Sequence, residues 1–387
     1  MDKLCRSQKS SIGVYVHIPF CNNICIYCDF VSRVSNVQYQ QKYVQALLRE
    51  IEHCTNAYYN TMHMHKPCVD TIYFGGGTPS CLYIGGIATI LQALRDKVDV
   101  VQDAEITVEC NPESVTHDKM IEYKRAGVNR ISMGLQCADD DILKLLGRKH
   151  TTNDYVEATK IVREYFDNYS TDLILGLPKA RQEQDLVDIV NKSMDIALSC
   201  NLQHMSVYAL KVEDGTPLMH MQAGMKMPDD DTVADMYDMV TTRLHNSGLY
   251  RYEISNYSIK GYESRHNLKY WQGGDYYGFG VSASGRHGNQ HTRNTDDIDE
   301  YINARPCDIE TVAPATLAND YVMLGLRLSE GIDINEYRAR FGTDILIDKR
   351  DAIDKLIQRG LIVVQDSHMY IPQQYMYTSN SIILQLI

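Results

Sequence analysis

Short apolar runs alternate with longer amphipathic segments over the first two-thirds of the chain, and this alternation constrains the fold more than any other feature. The runs that predict strands are Val14–Ile18, Thr71–Phe74, Glu105–Glu109, Arg130–Leu135, Asp172–Leu175 and Met205–Leu210. The segments that predict helices are Tyr39–His53, Ile87–Leu94, His117–Arg125, Asp139–Leu145, Asp154–Tyr165, Gln182–Leu198 and Thr232–His245. Such alternation is typical of an α/β fold with a parallel sheet and outer helices, and about six units suffice for a full or incomplete barrel.

The rhythm of strands and helices stops near Tyr252. Residues 252–310 are rich in Tyr, Gly, Asn and His, and we expect an irregular aromatic-rich segment over the barrel mouth. Residues 311–387 predict a small winged-helix-like domain from three helices and a hairpin, namely Leu317–Leu328, Ile334–Phe341, Lys349–Arg359, and Leu361–Val364 with His368–Ile371. No helix in it carries the dense basic charge of a recognition helix, so we interpret it as a packing domain. The barrel is assigned to residues 1–251.

Charge and cysteine content disfavour several classes of function. The chain carries 38 basic and 50 acidic residues, a net charge of −12, which disfavours nucleic acids and anionic membranes as partners. No run approaches the roughly 18 apolar residues of a membrane span, and residues 1–20 lack the apolar core of a secretory signal. Eleven cysteines in such a chain of 387 residues predict a reducing, cytoplasmic location rather than a disulfide scaffold.

Three of the cysteines are clustered directly after the first predicted strand. Cys21, Cys25 and Cys28 form a CxxxCxxC pattern, with an aromatic residue before the last cysteine. Three thiolates bind three irons of a [4Fe–4S] cluster and leave the fourth iron open to a substrate or cofactor. A zinc site is the alternative, and His17 and Asp29 are nearby candidates for its fourth ligand. The spacing favours the cluster, because structural zinc sites usually use paired CxxC units.

Glycine and polar residues follow the other predicted strands, at the ends where a barrel places its ligands. Gly75, Gly76 and Gly77, followed by Thr78, let backbone N–H groups approach a small anionic or zwitterionic ligand. The run lacks the Gly-Lys-Ser/Thr ending of a P-loop, and a glycine triplet alone is more often a tight turn. The other polar residues at these ends are Glu109, Gln136, Arg148 and Asp172.

Taken together, the cysteine spacing and the strand-end motifs resemble the radical S-adenosylmethionine (SAM) superfamily, in its coproporphyrinogen III dehydrogenase-like branch. The resemblance implies a radical SAM partial (β/α)6 TIM-like barrel and a SAM molecule bound to the open iron. It implies that Tyr15, Gly76 and Glu109 contact this SAM. The positions that would face a second SAM, as in the dehydrogenase, are Tyr27, Gly77, Thr78, Gln136, Arg148 and Asp172. No catalytic residue is assigned.

Within this branch the chain resembles the HemW-type haem chaperones more than the dehydrogenase. It reaches Cys21 after twenty residues, without the longer extension that helps close the substrate site of the dehydrogenase. Phe30 stands where the dehydrogenase has a further cysteine. The segment from His266 to Trp271 matches the HNxxYW motif of the chaperones and contains the single tryptophan.

The resemblance gives the HNxxYW motif a role in haem binding. His266 would supply the axial nitrogen, and Tyr270 and Trp271 would wall the porphyrin, with Arg265 and Lys269 pairing with propionates. From the residues alone another interpretation is favoured, in which His266 caps a turn while Tyr270 and Trp271 fill a core.

The sequence therefore predicts a radical SAM haem chaperone with a [4Fe–4S] cluster, SAM and haem. Its expected partners are haem or a related tetrapyrrole, a haem acceptor protein and an electron donor for the cluster, with no nucleic acid. A homodimer, and membrane contact through the acceptor, are compatible with it. The alternatives are coproporphyrinogen III oxidation, another radical reaction on a tetrapyrrole, and a zinc-bound barrel with a protein-interaction domain.

Overall fold

Six parallel strands form the centre of the fold. The computed structural model describes residues 11–61 and 66–387, without the side chains of residues 55–61. The strands are β1 (Ile12–Ile18), β2 (Cys68–Gly76), β3 (Asp99–Cys110), β4 (Arg130–Gln136), β5 (Tyr169–Leu175) and β6 (His204–Ala209). The helices between them are α1 (Val37–Thr61), α2 (Gly86–Lys97), α3 (His117–Ala126), α4 (Asp140–Leu145), α5 (Thr152–Tyr165) and α6 (Leu186–Ser199). Each strand pairs in parallel with the next along the chain, as the alternation predicts.

Buried apolar residues alternate with other residues along β1, because one face of the strand packs against the helices and the other faces the inside of the barrel. Val14, Val16 and Ile18 are fully buried and belong to the same hydrophobic core as Tyr43 and Leu47 of α1. Successive side chains of a strand point to opposite faces, so the residues between them face the inside of the barrel. That inner face is polar and aromatic, which leaves the barrel interior able to hold a polar ligand.

The strands after β6 extend the sheet at both edges. The further elements are α7 (Pro217–Met221), α8 (Asp230–Asn246), β7 (Tyr250–Arg251), β8 (Asn256–Ser258), α9 (Arg265–Trp271), β9 (Tyr276–Phe279), β10 (Ser284–His287), β11 (Gln290–Arg293), α10 (Ile298–Ile302) and β12 (Asp308–Thr311). The strand order is β12-β11-β10-β9-β1-β2-β3-β4-β5-β6-β8-β7. In the described part of the chain the two edge strands, β12 and β7, are not paired with each other.

The segment 252–310 differs from expectation in two respects. It contains five short strands, β8 to β12, where we expected irregular structure. Its helix α9 packs at the amino ends of the barrel strands, since the Lys269 Nζ donates to the carbonyl oxygen of Ser11 at 3.1 Å and forms an ion pair with Asp70 at 3.0 Å. Ser11 precedes β1, whereas the cysteine loop follows β1. The HNxxYW segment therefore lies at the end of the barrel opposite the mouth, and its expected position was wrong.

A second hydrophobic core lies in the C-terminal region. Its elements are α11 (Pro314–Gly325), β13 (Ile332–Asp333), α12 (Ile334–Phe341), α13 (Ile345–Asp348), α14 (Arg350–Gln358), β14 (Val363–Gln365), β15 (His368–Tyr370) and α15 (Ser379–Ile383). The strands form an antiparallel sheet of order β13-β15-β14, and the core includes Tyr321, Tyr337 and Met369. The predicted helices and hairpin of a winged-helix-like domain are thus present, while the domain limits stay a prediction. None of the helices in the described residues is both long and apolar enough to cross a bilayer.

Candidate cofactor site

The loop that carries the cysteines is fixed at its base and at its tip. At the base, the Cys21 N–H donates to the carbonyl oxygen of Arg33 at 3.2 Å, and the ring of His17 contacts the carbonyl oxygen of Val31 at 2.9 Å. At the tip, the amide of Asn23 donates to the carbonyl oxygen of Gly147 at 2.6 Å. The loop thus lies across the carboxyl ends of β1 and β4 in a defined conformation.

Three cysteines in this loop present partly exposed free thiols, which suits a cluster held by three thiolates. Burial raises the pKa of Cys28 to about 11, and burial likewise raises the pKa of Cys21. A bound metal cluster deprotonates such thiols outright, because its positive charge stabilises the thiolates. The residues present therefore fit the predicted cluster.

The thiols are not arranged around one point. Across residues 11–61 and 66–387, no three His, Cys, Asp or Glu side chains converge as the ligands of a single ion do. A [4Fe–4S] cluster does not require its thiolates to converge on one point, because each thiolate binds its own iron.

The glycines at the carboxyl end of β2 form a cradle in which a side chain on either Gly76 or Gly77 would meet neighbouring atoms. Gly76 has a φ of +113°, and a Cβ there would lie 2.7 Å from the ring of His17. A Cβ at Gly77 would lie 3.0 Å from the Phe20 nitrogen and 3.1 Å from the Cys21 Sγ. The glycine motif therefore packs directly against the cysteine loop, and its backbone remains accessible to a small ligand.

Glu109 lies inside the barrel beside this cradle. The Tyr73 hydroxyl donates to the Glu109 Oε1 at 2.6 Å, and Tyr15 stacks on Tyr73 with ring centroids 6.4 Å apart. Burial raises the pKa of Glu109 to about 7, although the hydrogen bond from Tyr73 opposes this shift. Because its pKa lies near 7, Glu109 is partly ionised at neutral pH. Its carboxylate faces the cradle, where it can accept hydrogen bonds from hydroxyl or ammonium groups of a ligand.

The Arg148 side chain contacts residues that follow two other strands, β1 and β3. Its Nη2 donates to the Asn111 Oδ1 at 2.9 Å, and its Nη1 lies 3.9 Å from the Cys25 Sγ. The Asn111 amide also donates to the Thr78 Oγ1 at 3.1 Å, and that oxygen lies 3.4 Å from the Cys21 Sγ. Asn111 was not predicted as a site residue, although its position directly after β3 was a usable signal.

Gln136 closes β4 in the left-handed region, with a φ of +66°. The register between β4 and β5 shifts between Gly134 and Gln136, so the strand carries an irregularity at the predicted site. Such φ values in a non-glycine residue cost energy and are concentrated at functional sites.

Deeper in the barrel, Asp172 accepts a hydrogen bond from the Ser132 hydroxyl at 3.3 Å, and burial raises the pKa of its carboxyl. Arg130 is the largest fully buried side chain of the described residues, and its charge stabilises the ionised forms of Asp172 and Glu109. Arg130 was not predicted as a site residue, although a charged residue at the start of an apolar strand was a usable signal.

The HNxxYW residues do not join the cofactor site. The ring of His266 is 1% exposed, with its Nδ1 3.0 Å from the Thr71 Oγ1 and its Nε2 2.7 Å from the Tyr270 hydroxyl. Burial lowers the pKa of His266 to about 3, so the ring is neutral. Trp271 is half-buried, with its ring 5.7 Å from the Arg327 guanidinium. The burial of His266 and its two hydrogen bonds favour a structural role for the ring, whereas Tyr270 and Trp271 are only partly buried. Axial ligation by His266 stays a prediction that requires one of the two hydrogen bonds to break.

Within the HNxxYW motif, His266 also contacts a residue of the cofactor site from the amino end of the barrel. Its ring stacks on Tyr73 with centroids 5.2 Å apart, and Tyr73 is the donor to Glu109. The motif therefore positions Tyr73, and through it Glu109, from the amino end of the barrel.

Two separate parts of the chain match the models of known families. Residues 15–191 match the model of the radical SAM superfamily, and residues 312–374 match the HemN C-terminal domain. The heme chaperone HemW of Bacillus subtilis (strain 168) is 32% identical over 96% of this chain and 97% of its own. The heme chaperone HemW of Escherichia coli (strain K12) is 36% identical over 71% of this chain and 70% of its own.

The fold has a counterpart among solved structures. The radical SAM enzyme coproporphyrinogen III oxidase from Escherichia coli superposes with a TM-score of 0.81, covering 98% of this chain and 91% of its own, at 21% identity. At that identity the likeness concerns the fold.

Proposed function

The chain belongs to the HemW family of haem chaperones within the radical SAM superfamily, and from this premise we propose that it binds haem and transfers it to an acceptor protein. The observation that carries the proposal is that the likeness to the Bacillus subtilis chaperone extends over nearly the whole of both chains. A likeness of that extent supports a shared activity better than a match confined to the barrel, which serves many reactions.

Two cofactors accompany this function. Cys21, Cys25 and Cys28 hold a [4Fe–4S] cluster, and the cluster supplies one-electron chemistry to SAM when both are bound. Around the first SAM, the Tyr15 ring and the Gly76 backbone confine the ligand, and Glu109 accepts its hydrogen bonds. The residues assigned to a second SAM are Tyr27, Gly77, Thr78, Gln136, Arg148 and Asp172.

The proposal includes partners of defined chemistry. Haem is the cargo, a protein that lacks haem is the acceptor, and a reductant protein supplies electrons to the cluster. The net charge of −12 supports proteins rather than nucleic acids as these partners. A reducing, cytoplasmic location is part of the proposal, because the three loop cysteines can hold a cluster only as thiolates.

Haem titration under anaerobic conditions tests the proposal. The reconstituted full-length protein is titrated with ferric haem while the Soret band is followed, and one haem per chain is expected. Absence of saturable binding would refute the carrier function.

A parallel incubation separates carrier from catalyst. The protein is incubated with SAM, dithionite and either coproporphyrinogen III or haem, and the products are separated by chromatography. Haem recovered intact and coproporphyrinogen left unconverted are expected. Formation of protoporphyrinogen would establish the oxidase alternative, and loss of the haem spectrum would establish a tetrapyrrole-modifying reaction.

A further inference from the structure

A cleft of about 600 Å³ lies between the antiparallel strands β9–β12 and helix α11. Its volume is within the range of roughly 300–1,000 Å³ typical of small-molecule and cofactor sites. The strands form one wall, α11 contributes Met323 and Leu324 to the other, and Tyr270 of α9 lies between them. The residues that line the cleft come from these elements and not from the cysteine loop.

The strand register aligns a row of side chains on the sheet wall. Tyr276 pairs with Arg286, Arg286 pairs with His291, and His291 pairs with Glu310. Residues directly opposite one another on neighbouring strands project from the same face of the sheet. An aromatic ring, a guanidinium and an imidazole are therefore neighbours along this wall.

His291 has the properties expected of an axial ligand of haem iron. Its Nε2 is buried and has no hydrogen-bond partner in the described part of the chain. A buried polar atom without a partner is costly, so its presence calls for an explanation. Imidazole nitrogen is a common axial ligand of haem iron, and the thioether of Met323 on the opposite wall is a second type of axial donor.

The cations of the cleft suit the propionates of haem. The Arg286 Nε is also buried without a hydrogen-bond partner, and Arg293 lies nearer the rim, where it pairs with Asp296 at 3.1 Å. Carboxylates line the cleft as well, at Asp308, Glu310 and Asp320. Their charge disfavours propionates at the β12 edge, so the propionates belong beside Arg286.

Tyr270 connects this cleft with the HNxxYW motif. Its ring lies edge-on to Tyr276 with centroids 4.5 Å apart, and its hydroxyl is hydrogen-bonded to the buried His266. The motif thus reaches the cleft through its tyrosine, while its histidine holds that tyrosine in place.

We propose that this cleft is the haem site, with His291 as the axial ligand of the iron and Arg286 as the partner of a propionate. The inference rests on the proposed function, which supplies haem as the cargo. It moves the iron from His266, whose two ring nitrogens are both hydrogen-bonded, to His291, whose Nε2 has no hydrogen-bond partner in the described part of the chain.

The test compares haem binding by four full-length proteins through Soret titration. His291→Ala should weaken binding about tenfold or more and shift the Soret band, because the iron loses its axial nitrogen. Arg286→Gln should weaken binding without shifting the band. His245→Ala, which removes an exposed histidine of α8, should leave both unchanged. With iron-free protoporphyrin IX, only the Arg286→Gln effect should remain.

The outcomes separate the site from the function. A wild-type protein that binds haem, together with a His291→Ala protein of unchanged affinity and spectrum, would refute the cleft. A wild-type protein that binds no haem would refute the proposed function itself. If His291→Ala fails to fold, Leu324→Trp on the opposite wall fills the cleft and should weaken haem binding comparably, while unchanged binding in that variant would also refute the site.

Discussion

Replacing Tyr73 with phenylalanine should change how SAM binding depends on pH. The substitution keeps the ring that stacks on His266 at 5.2 Å and removes only the hydroxyl that donates to Glu109 at 2.6 Å. This hydroxyl stabilises the ionised carboxylate against burial, which raises the pKa of Glu109 to about 7. Without it, the pKa of Glu109 should rise further.

The size of the effect follows from the hydrogen bond. A hydrogen bond to a charged group contributes about 1.5–3 kcal/mol, and one pKa unit corresponds to about 1.4 kcal/mol, so the pKa should rise by about 1–2 units. At pH 7 the ionised fraction of Glu109 would then fall from about one half to about 1–10%. If the ribose hydroxyls require the carboxylate, SAM affinity should fall about 5- to 50-fold at this pH. The deficit should disappear as the pH rises above the new pKa.

Isothermal titration of SAM into the cluster-loaded protein, without oxygen and between pH 6 and about 9.5, measures this effect. In the wild type, affinity should increase as the pH rises through about 7, because binding favours the ionised form. Tyr155→Phe is the matched control, because it removes a buried tyrosine hydroxyl that is bonded to Thr171 rather than to Glu109. Identical pH profiles for wild type and Tyr73→Phe would refute the assigned role of Glu109.

Three further sets of substitutions have defined outcomes. Changing Cys21, Cys25 or Cys28 to Ala should abolish the brown absorbance near ~400 nm after reconstitution, and colour in the triple variant would contradict the cluster. Gly77→Ala should lower the free energy of unfolding by about 1–3 kcal/mol, because the new Cβ would press on the cysteine loop. The iron content per chain should fall as well. Full iron content would show that the close approach of Gly77 to the loop is unimportant for the cluster. His266→Ala should lower the free energy of unfolding by about 2–4 kcal/mol in denaturant titration while one haem per chain still binds, since the ring fills a core; loss of haem in a stable variant would restore its role as a ligand.

Much of the barrel could be predicted because its strands contain short runs rich in apolar residues. Strand β4 was predicted one residue short of its observed end, whereas β5 begins three residues before the predicted Asp172. The start of β5, Tyr169 to Thr171, lacks an apolar run and is a strand because it pairs with β4 and β6. The C-terminal hairpin was predicted correctly from its two short apolar runs.

The segment 252–310 could not be predicted, because its strands depend on distant partners. Tyr276 to Phe279 form a strand by pairing with β1, more than 260 residues earlier in the chain, and four residues are too few to show a period. Local pattern also does not reveal to which end of a barrel a helix returns. That position follows from contacts such as the one between the His266 N–H and Glu105 at 3.0 Å.

Sequence position places candidate residues at strand ends, but it does not reveal residues that act through others. Glu109 and Gln136 lie at the ends of β3 and β4, as predicted, and their role toward SAM stays a prediction. Asn111 and Arg130 matter because of what they contact across the barrel, and a single sequence contains no record of those contacts.

Haem content after gel filtration most directly measures whether this chain is a carrier. The reconstituted protein is incubated anaerobically with haem, SAM and dithionite, passed through the column, and assayed for intact haem in the protein peak. We expect one unmodified haem to co-elute with each chain. A protein peak free of haem, or porphyrin converted to another product, would contradict the account.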